Sequence, residues 1–295
     1  AICPNEAIEM EYNHEGFIFP KIITTKCCDC RMCEKICPIL NFRKISQKEY
    51  NIYSAGIKDK KIRKKSTSGG VFTGIAQFVF SHNGLVVGAQ FDQRMVLKHV
   101  IAESEKEINM MRGSKYIQSE VKDVYALVKK ELDNNRMILF TGTPCQIDGL
   151  LHFLEKAYDN LITCDVLCHG VGSSRFFYDA IKWYEKEQGS KVTNVYFRDK
   201  RKSWEKSEFR VEFINGKALH FPSYLNEFGY PFSHRLCCRK SCFKCKYSST
   251  ERISDISIGD YTGTDKNKYN YFDRHSGLSL VIVSSLKGKE IISAL

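Results

Sequence analysis

No stretch of this 295-residue chain is apolar for long enough to cross a bilayer as a helix, so we expect no membrane span. No G-x-G-x-x-G run is present, which removes the Rossmann dinucleotide fingerprint. There is no internal repeat and no low-complexity segment, so a solenoid is excluded. No nucleic-acid motif accompanies the formal charge of +11, and no nucleic-acid partner is expected. The chain has no initiator methionine, and its first residues do not read as an export signal. It begins inside a motif and stops at Leu295 inside an apparent helix. The expectation is a piece of a longer protein, shortened at the start and cut within a helix at the end.

What is present is cysteine. Thirteen of them, with no export signal beside them, point to a reducing compartment, the cytoplasm, and to metal. Cys27-Cys28-Asp29-Cys30-Arg31-Met32-Cys33-Glu34-Lys35-Ile36-Cys37-Pro38 reads as C-x2-C-x2-C-x3-C-P, with Cys28 as a passenger. That spacing lets three thiolates curl round one [4Fe-4S] cube, while the fourth cysteine turns away to the other cluster of a two-cluster domain. Cys3-Pro4-Asn5-Glu6-Ala7-Ile8 looks like the end of a preceding run. By the same crossover rule Cys3 completes the cluster of Cys27, Cys30 and Cys33, and Cys37 serves a cluster whose other ligands lie before residue 1. Zinc is the competing reading, but it leaves the Cys37-Pro38 and Cys3-Pro4 steps unexplained. A disulfide framework fits less well, because the cysteines are clustered.

The apolar fraction of 43% allows an ordinary core, and the length suggests two domains. Residues 1–45 form the ferredoxin-type domain, with a hairpin over Glu9 to Phe19. Residues 46–66 are polar and lysine-rich and read as a linker. Its run Lys58, Lys60, Lys61, Arg63, Lys64 and Lys65 is a solvated basic stretch, suited to docking acidic redox partners or anionic cofactors.

Residues 67–295 alternate helices and strands. Apolar spacing predicts a helix from Val71 to Val79, paired strands at Leu85–Phe91 and Met95–Ala102, and a helix from Glu120 to Leu132. Met137 to Phe140, the loop Thr141–Gln146, a helix from Ile147 to Lys156 and a strand from Leu161 to Leu167 make a parallel β-loop-α-β unit. Further strands are expected at Val192–Asp199, Ile253–Ile258 and Leu278–Val283, a helix at Arg175–Glu187, and a hairpin on Asn215-Gly216. The fold class is therefore an α+β ferredoxin-like module followed by an α/β domain with a mixed, partly parallel sheet.

A second set of cysteines stands out. Cys145 and Cys168 project from the ends of adjacent strands, and Cys242-Phe243-Lys244-Cys245 is a compact chelate. Together they offer four thiolates for another cubane. Taken singly, Cys145 is also a candidate reactive thiol, Cys168 a core residue, and the Cys242–Cys245 pair half of a zinc knuckle. Cys237 and Cys238 are spare candidates, and Cys164 reads as a small core residue.

Six segments, taken in order, resemble the coenzyme F420 hydrogenase/dehydrogenase beta-subunit family. They are Ser68-Gly69-Gly70, Gly113-Ser114-Lys115-Tyr116, Phe140 to Gln146, Cys168-His169-Gly170, Ser241 to Cys245 and Ser254 to Asp260. The resemblance implies an FAD-containing iron–sulfur subunit that passes electrons between clusters and a hydride acceptor, in several members the deazaflavin F420. It implies flavin contacts at Ser68, Gly69, Gly70 and Lys115, and places Thr141, Gly142, Thr143 and Gln146 beside flavin and cluster. It also implies an inner cluster on Cys145, Cys168, Cys242 and Cys245. Gly69 and Gly70 at a helix N-terminus would free backbone N–H groups for a pyrophosphate, or simply start the helix. Lys115 would favour reduced flavin, or be merely solvated. The partners implied are a redox protein or subunit and a deazaflavin or other small hydride acceptor. A flavin reductase for another organic substrate, and an electron-transfer subunit without flavin, are the alternatives.

Overall fold

The computed structural model describes residues 2–42, 50–262 and 276–295. The boundary expected at residues 45 and 46, the start of the linker and Gly263 lie outside these.

The chain opens with an antiparallel hairpin of β1 (Ile8–Tyr12) and β2 (Ile18–Ile22). Its turn is set by Asn13, whose Oδ1 accepts the Phe17 N–H at 2.9 Å, and by Gly16 at φ +77°. One helical turn, α1 (Met32–Lys35), sits among the cysteines. The stretch read as a linker holds two elements. Asn51–Ala55 is a strand, β3, and Lys60–Lys65 is a short helix, α2, capped by Asp59. The basic run is thus helical, and its Arg63 is buried at 7% exposure.

Helix α3 (Val71–Ser81) starts at Gly70, φ +86°, and ends at His82-Asn83-Gly84. Strands β4 (Leu85–Phe91) and β5 (Leu97–Ala102) follow. β5 begins two residues later than its apolar pattern predicts, because Asp92 Oδ1 gathers the N–H groups of Arg94 and Val96 into a turn. A capping box of Ser104 and Glu107 starts α4 (Glu105–Met111). Helix α5 (Val124–Asp133) starts four residues after its expected Glu120. Glu120 instead bridges Lys98 on the edge of β5, so sheet pairing takes the residue from the helix.

Strand β6 (Ile138–Gly142) leads into α6 (Pro144–Leu154), which begins three residues earlier than predicted. Proline at the first position and a Thr143–Gln146 capping box start it there, so Cys145 lies in its first turn. Then come β7 (Leu161–Val166), α7 (Ser174–Gln188), β8 (Val192–Asp199), β9 (Glu208–Phe213) and β10 (Ala218–Pro222). A short helix, α8 (Gly229–Ser233), and a 3-10 turn at Lys240–Lys244 precede β11 (Ile256–Asp260), β12 (Ser279–Val283) and α9 (Leu286–Ala294).

The large sheet has seven strands in the order β3-β12-β11-β7-β6-β4-β5. The four central strands, β11, β7, β6 and β4, run parallel, and the outer pairings are antiparallel. Both faces are covered, as a parallel core requires. Val86, Leu139, Ile162 and Cys164 face α3 and α9, while Leu85, Val87, Ile138 and Phe140 face α5 and α6. Each such side chain contributes about 1.5–3 kcal/mol of burial. A three-stranded antiparallel sheet, β10-β9-β8, packs an aromatic core of Phe177, Tyr184, Phe197, Phe209 and Phe228 against α7.

The hairpin and the cysteine loop dock on this body at two places. Ser173 at the start of α7 donates to the Glu15 carbonyl at 2.8 Å, and Lys240 pairs with Glu15 at 2.7 Å. Further on, His152 Nε2 meets the Asn41 carbonyl at 3.0 Å and the Phe42 ring lies edge-on to Tyr247. Among the described residues no helix is long and apolar enough to cross a membrane.

Candidate cysteine and cofactor site

Cys3, Cys27, Cys28, Cys30 and Cys33 line one cavity, with Ala7, Ile8 and Ile22 as its apolar wall. Cys37 is not among its lining residues. Asp29 and Arg31, on either side of Cys30, take left-handed φ of +50° and +55°. The Ala7 N–H donates to Cys3 Sγ at 3.2 Å, a polarity that suits a thiolate. Cys28 meets the Cys30 thiol, and that contact pushes the Cys28 thiol up.

The second set also comes together. β6 and β7 are neighbours, so Cys145 in the first turn of α6 and Cys168 just after β7 leave the same end of the sheet. Cys145 and Cys168 are accessible yet recessed. Burial pushes the Cys145 thiol up, and Cys245 and Cys242 add to it. Burial likewise pushes Cys168 up to about 12, with Cys145, Cys242 and Cys245 adding to it. Thr143 Oγ1 lies 3.1 Å from Cys145 Sγ, and the Gly170 N–H donates to Cys168 Sγ at 3.4 Å. Gly170, at φ +109°, leaves room that a Cβ would take 3.4 Å from Cys242 Cβ.

Two buried ties hold these segments. Tyr247, two residues after Cys245, donates at 2.6 Å to Asp148 on the helix of Cys145. Arg252 donates at 2.7 Å to Asp165 on the strand before Cys168, and reaches the Ser249 carbonyl at 3.1 Å. Burial raises the Asp165 carboxyl, and Arg252 opposes that.

Among the described residues no group of three or more His, Cys, Asp or Glu side chains is spaced to hold a single metal ion. Thiolates at the corners of a cubane stand wider than the ligands of one zinc. The donor chemistry, all sulfur and recessed, fits a cluster. The remaining cysteines separate. Cys164 is core at 1% exposure, as its strand position predicts. Cys238 lies near Cys242 across Gly170, and burial pushes Cys237 up to about 11.

Of the residues expected around a flavin, Ser68 and Gly69 lie beside β3 and β12, Lys115 follows α4, and Thr141, Gly142, Thr143 and Gln146 run from the end of β6 into α6; several are already engaged. Gly69 is forced by packing, since a Cβ there would lie 2.2 Å from the Ala55 carbonyl oxygen. Its N–H donates to Ser279 Oγ at 2.9 Å, and Ser68 Oγ donates to the Leu278 carbonyl. Thr67 Oγ1 accepts the Ser114 N–H at 2.7 Å, joining this loop to Gly113-Ser114-Lys115. Lys115 Nζ donates to the carbonyls of Met111 and Arg112 at 3.0 Å and of Gly113 at 3.2 Å. It closes the C-terminus of α4 rather than standing free. Burial lowers its ammonium to about 7, while the three carbonyls favour the charged form.

Thr141, Gly142, Thr143 and Gln146 form one network. The Thr143 N–H donates to Gln146 Oε1 at 3.0 Å, and Thr141 Oγ1 donates to the Val87 carbonyl at 2.8 Å. Sequence reading missed the residues beneath it. Gln146 Nε2 donates to Ser119 Oγ at 2.9 Å, and Ser119 meets His99 Nδ1 at 2.9 Å. The other His99 nitrogen meets the Thr141 carbonyl at 3.0 Å. Burial lowers the His99 imidazole to about 4, so it is neutral at pH 7. The only signal was a histidine at an inward position of β5, between apolar Leu97 and Ile101. Arg239 was missed too. Its Nη1 donates to Gln118 Oε1 at 2.7 Å and to the Ile18 carbonyl at 3.1 Å.

Comparison with known proteins agrees with this architecture. A chain in the structure described as "Xenon derivatization of the F420-reducing [NiFe] hydrogenase complex from Methanosarcina barkeri" superposes with a TM-score of 0.57. The alignment covers 85% of this chain and 79% of that one at 19% identity, a likeness of fold. No curated protein matches the sequence. Two family descriptions do. Residues 52–126 match the N-terminal part of the coenzyme F420 hydrogenase/dehydrogenase beta subunit, and residues 135–295 match its C-terminal part. The chain belongs to the coenzyme F420 hydrogenase/dehydrogenase beta-subunit family, an oxidoreductase family.

Proposed function

We propose that the chain is a cytoplasmic iron–sulfur flavoprotein relaying electrons between [4Fe-4S] clusters and FAD, with hydride exchange to F420 or a related acceptor. In this reading residues 1–45 are a ferredoxin-type domain and residues 67–295 the flavin and inner-cluster domain. The observation that carries it is the meeting of Cys145, Cys168, Cys242 and Cys245 beside the Thr141–Gln146 turn. The cavity of Cys3, Cys27, Cys30 and Cys33 supports a second cluster in the N-terminal domain.

When bound, cubanes pass single electrons and FAD pairs them for hydride transfer. The chain's own residues hold and shape the sites. The Gly170 N–H points a donor at Cys168, which favours ionised sulfur there, and Thr143 Oγ1 lies against Cys145. The His99–Ser119–Gln146 chain fixes the capping turn that carries Cys145. The hydrogenase complex of Methanosarcina barkeri is a multi-component assembly by its description, which supports a redox partner subunit for this chain as well.

A second reading, an electron-transfer subunit without flavin, is favoured by one observation. Lys115 is tied to three carbonyls and the Gly69 N–H to Ser279 on β12, so two expected flavin contacts already have internal partners. The test is anaerobic reconstitution with iron, sulfide and FAD, followed by a count of retained flavin. The loaded protein is then reduced with dithionite, freed of excess reductant, and offered F420 and other hydride acceptors. One FAD per chain with F420 reduction supports the first reading. Full clusters without flavin give the second.

A further inference from the structure

We propose that Arg239 is the counter-ion of the inner cysteine site and sets the reduction potential of the cluster held there. This rests on Cys145, Cys168, Cys242 and Cys245 being that cluster's ligands.

The argument begins with what Arg239 lacks. Arg198, Arg210 and Arg252, half-buried or buried, each meet a carboxylate, and Arg112 bonds Thr73 and Asn109 with the carboxylates of Glu105 and Asp59 as its charged neighbours. The partners of Arg239 are neutral: the amide oxygen of Gln118, the carbonyl of Ile18, and the ring of Phe19 at 4.0 Å. Its neighbour Lys240 takes the nearby carboxylate of Glu15. Burial lowers the Arg239 guanidinium, and the thiols of Cys242 and then Cys145 oppose that. A guanidinium is permanently charged, and a desolvated cation with no anion is unfavourable. The anion that this place supplies is sulfur.

The backbone fixes the arrangement. The Arg239 N–H donates to the Val171 carbonyl at 3.0 Å, in the loop after Cys168. Its own carbonyl accepts the Cys242 N–H at 2.9 Å. The backbone of Arg239 is therefore set between two of the cysteine-bearing segments. Its hold on Ile18 and Phe19 belongs to the hairpin of the N-terminal domain, so that domain fixes the position of the charge. Reduction adds one negative charge to a cluster. A fixed cation nearby stabilises the reduced form more than the oxidised form, and raises the potential.

Arg239 is thus a positioning residue whose effect is electrostatic. The test uses the full chain, reconstituted anaerobically, with iron and sulfide counted before each redox titration followed by electron paramagnetic resonance. Arg239→Met is expected to lower the reduced-to-oxidised ratio of the inner cluster about tenfold at fixed potential, a shift of ~59 mV for one electron. Arg239→Lys should recover much of that shift. The cluster of the N-terminal domain should keep its potential. An unchanged inner potential in a fully loaded Arg239→Met protein overturns the proposal. Should Arg239→Met fail to hold the inner cluster, retention by Arg239→Lys supports the counter-ion role, and loss in both overturns it. A wild-type chain with irons for only the N-terminal cluster is a different failure, that of the ligand assignment itself.

Discussion

The hydroxyl of Tyr247 donates to Oδ2 of Asp148 at 2.6 Å, where the carboxylate is fully buried. This one bond joins the helix that carries Cys145 to the loop that carries Cys242 and Cys245. Tyr247→Phe removes the donor and leaves a buried carboxylate oxygen short of a partner, at a cost of about 1–3 kcal/mol. Chemical denaturation should show that loss. Faster release of inner-cluster iron to a chelator should accompany it, with N-terminal iron unaffected.

The cysteines divide into three groups that metal analysis separates. Serine at Cys145, Cys168, Cys242 or Cys245 should cost the irons of the inner site and spare those of the N-terminal domain. Serine at Cys3, Cys27, Cys30 or Cys33 should do the reverse. Cys164→Ser should keep all the iron, because Cys164 sits in the core at 1% exposure. Its cost should appear in stability alone.

Gly69→Ala tests the packing of the loop before α3. The added methyl would meet the Ala55 carbonyl oxygen at 2.2 Å and the Ser279 N at 2.7 Å. Backbone cannot yield as a flexible side chain can, so the loss should reach or exceed the roughly 1–3 kcal/mol of an overpacked core. Thermal unfolding of the protein without cofactors checks this. A wild-type Tm in Gly69→Ala would contradict the packing.

His99 gives the fold an acid-sensitive element. Its folded-state value is lowered from 6.5 to about 4 by burial. Above pH 6.5 the folded and unfolded chains both hold it neutral. Below pH 6.5 the unfolded chain takes up a proton that the folded chain refuses until about pH 4. Stability is therefore lost as pH falls through that window, by about 3 kcal/mol in all. His99→Gln should lose less stability than wild type between pH 6.5 and 4 in denaturant titrations.

Much of this was legible in the chain. Apolar periodicity gave the strands of the parallel centre, because both of their faces are buried. Thr141 to Gln146 read as a loop, yet the capping box and Pro144 start the helix within it, which periodicity alone could not show. β3 was hidden, since Asn51–Ala55 is an edge strand and largely exposed, and its polar surroundings read as linker. The cysteine groups were legible from spacing. The residues that position them were not. His99, Ser119, Arg239, Asp148 and Arg252 act through partners as far as 221 positions away in sequence. No local pattern encodes such pairs. Lys115 was legible as a charge, but only the fold shows its ammonium spent on the end of α4.

The most direct test is a count of iron and acid-labile sulfide per chain after anaerobic reconstitution, in the wild type and in Cys145→Ser. About eight irons with matching sulfide are expected in the wild type, and about four in Cys145→Ser, as two cubanes on separate ligand sets require. Equal counts in the two proteins, or zinc without sulfide, would contradict an inner cluster on these cysteines.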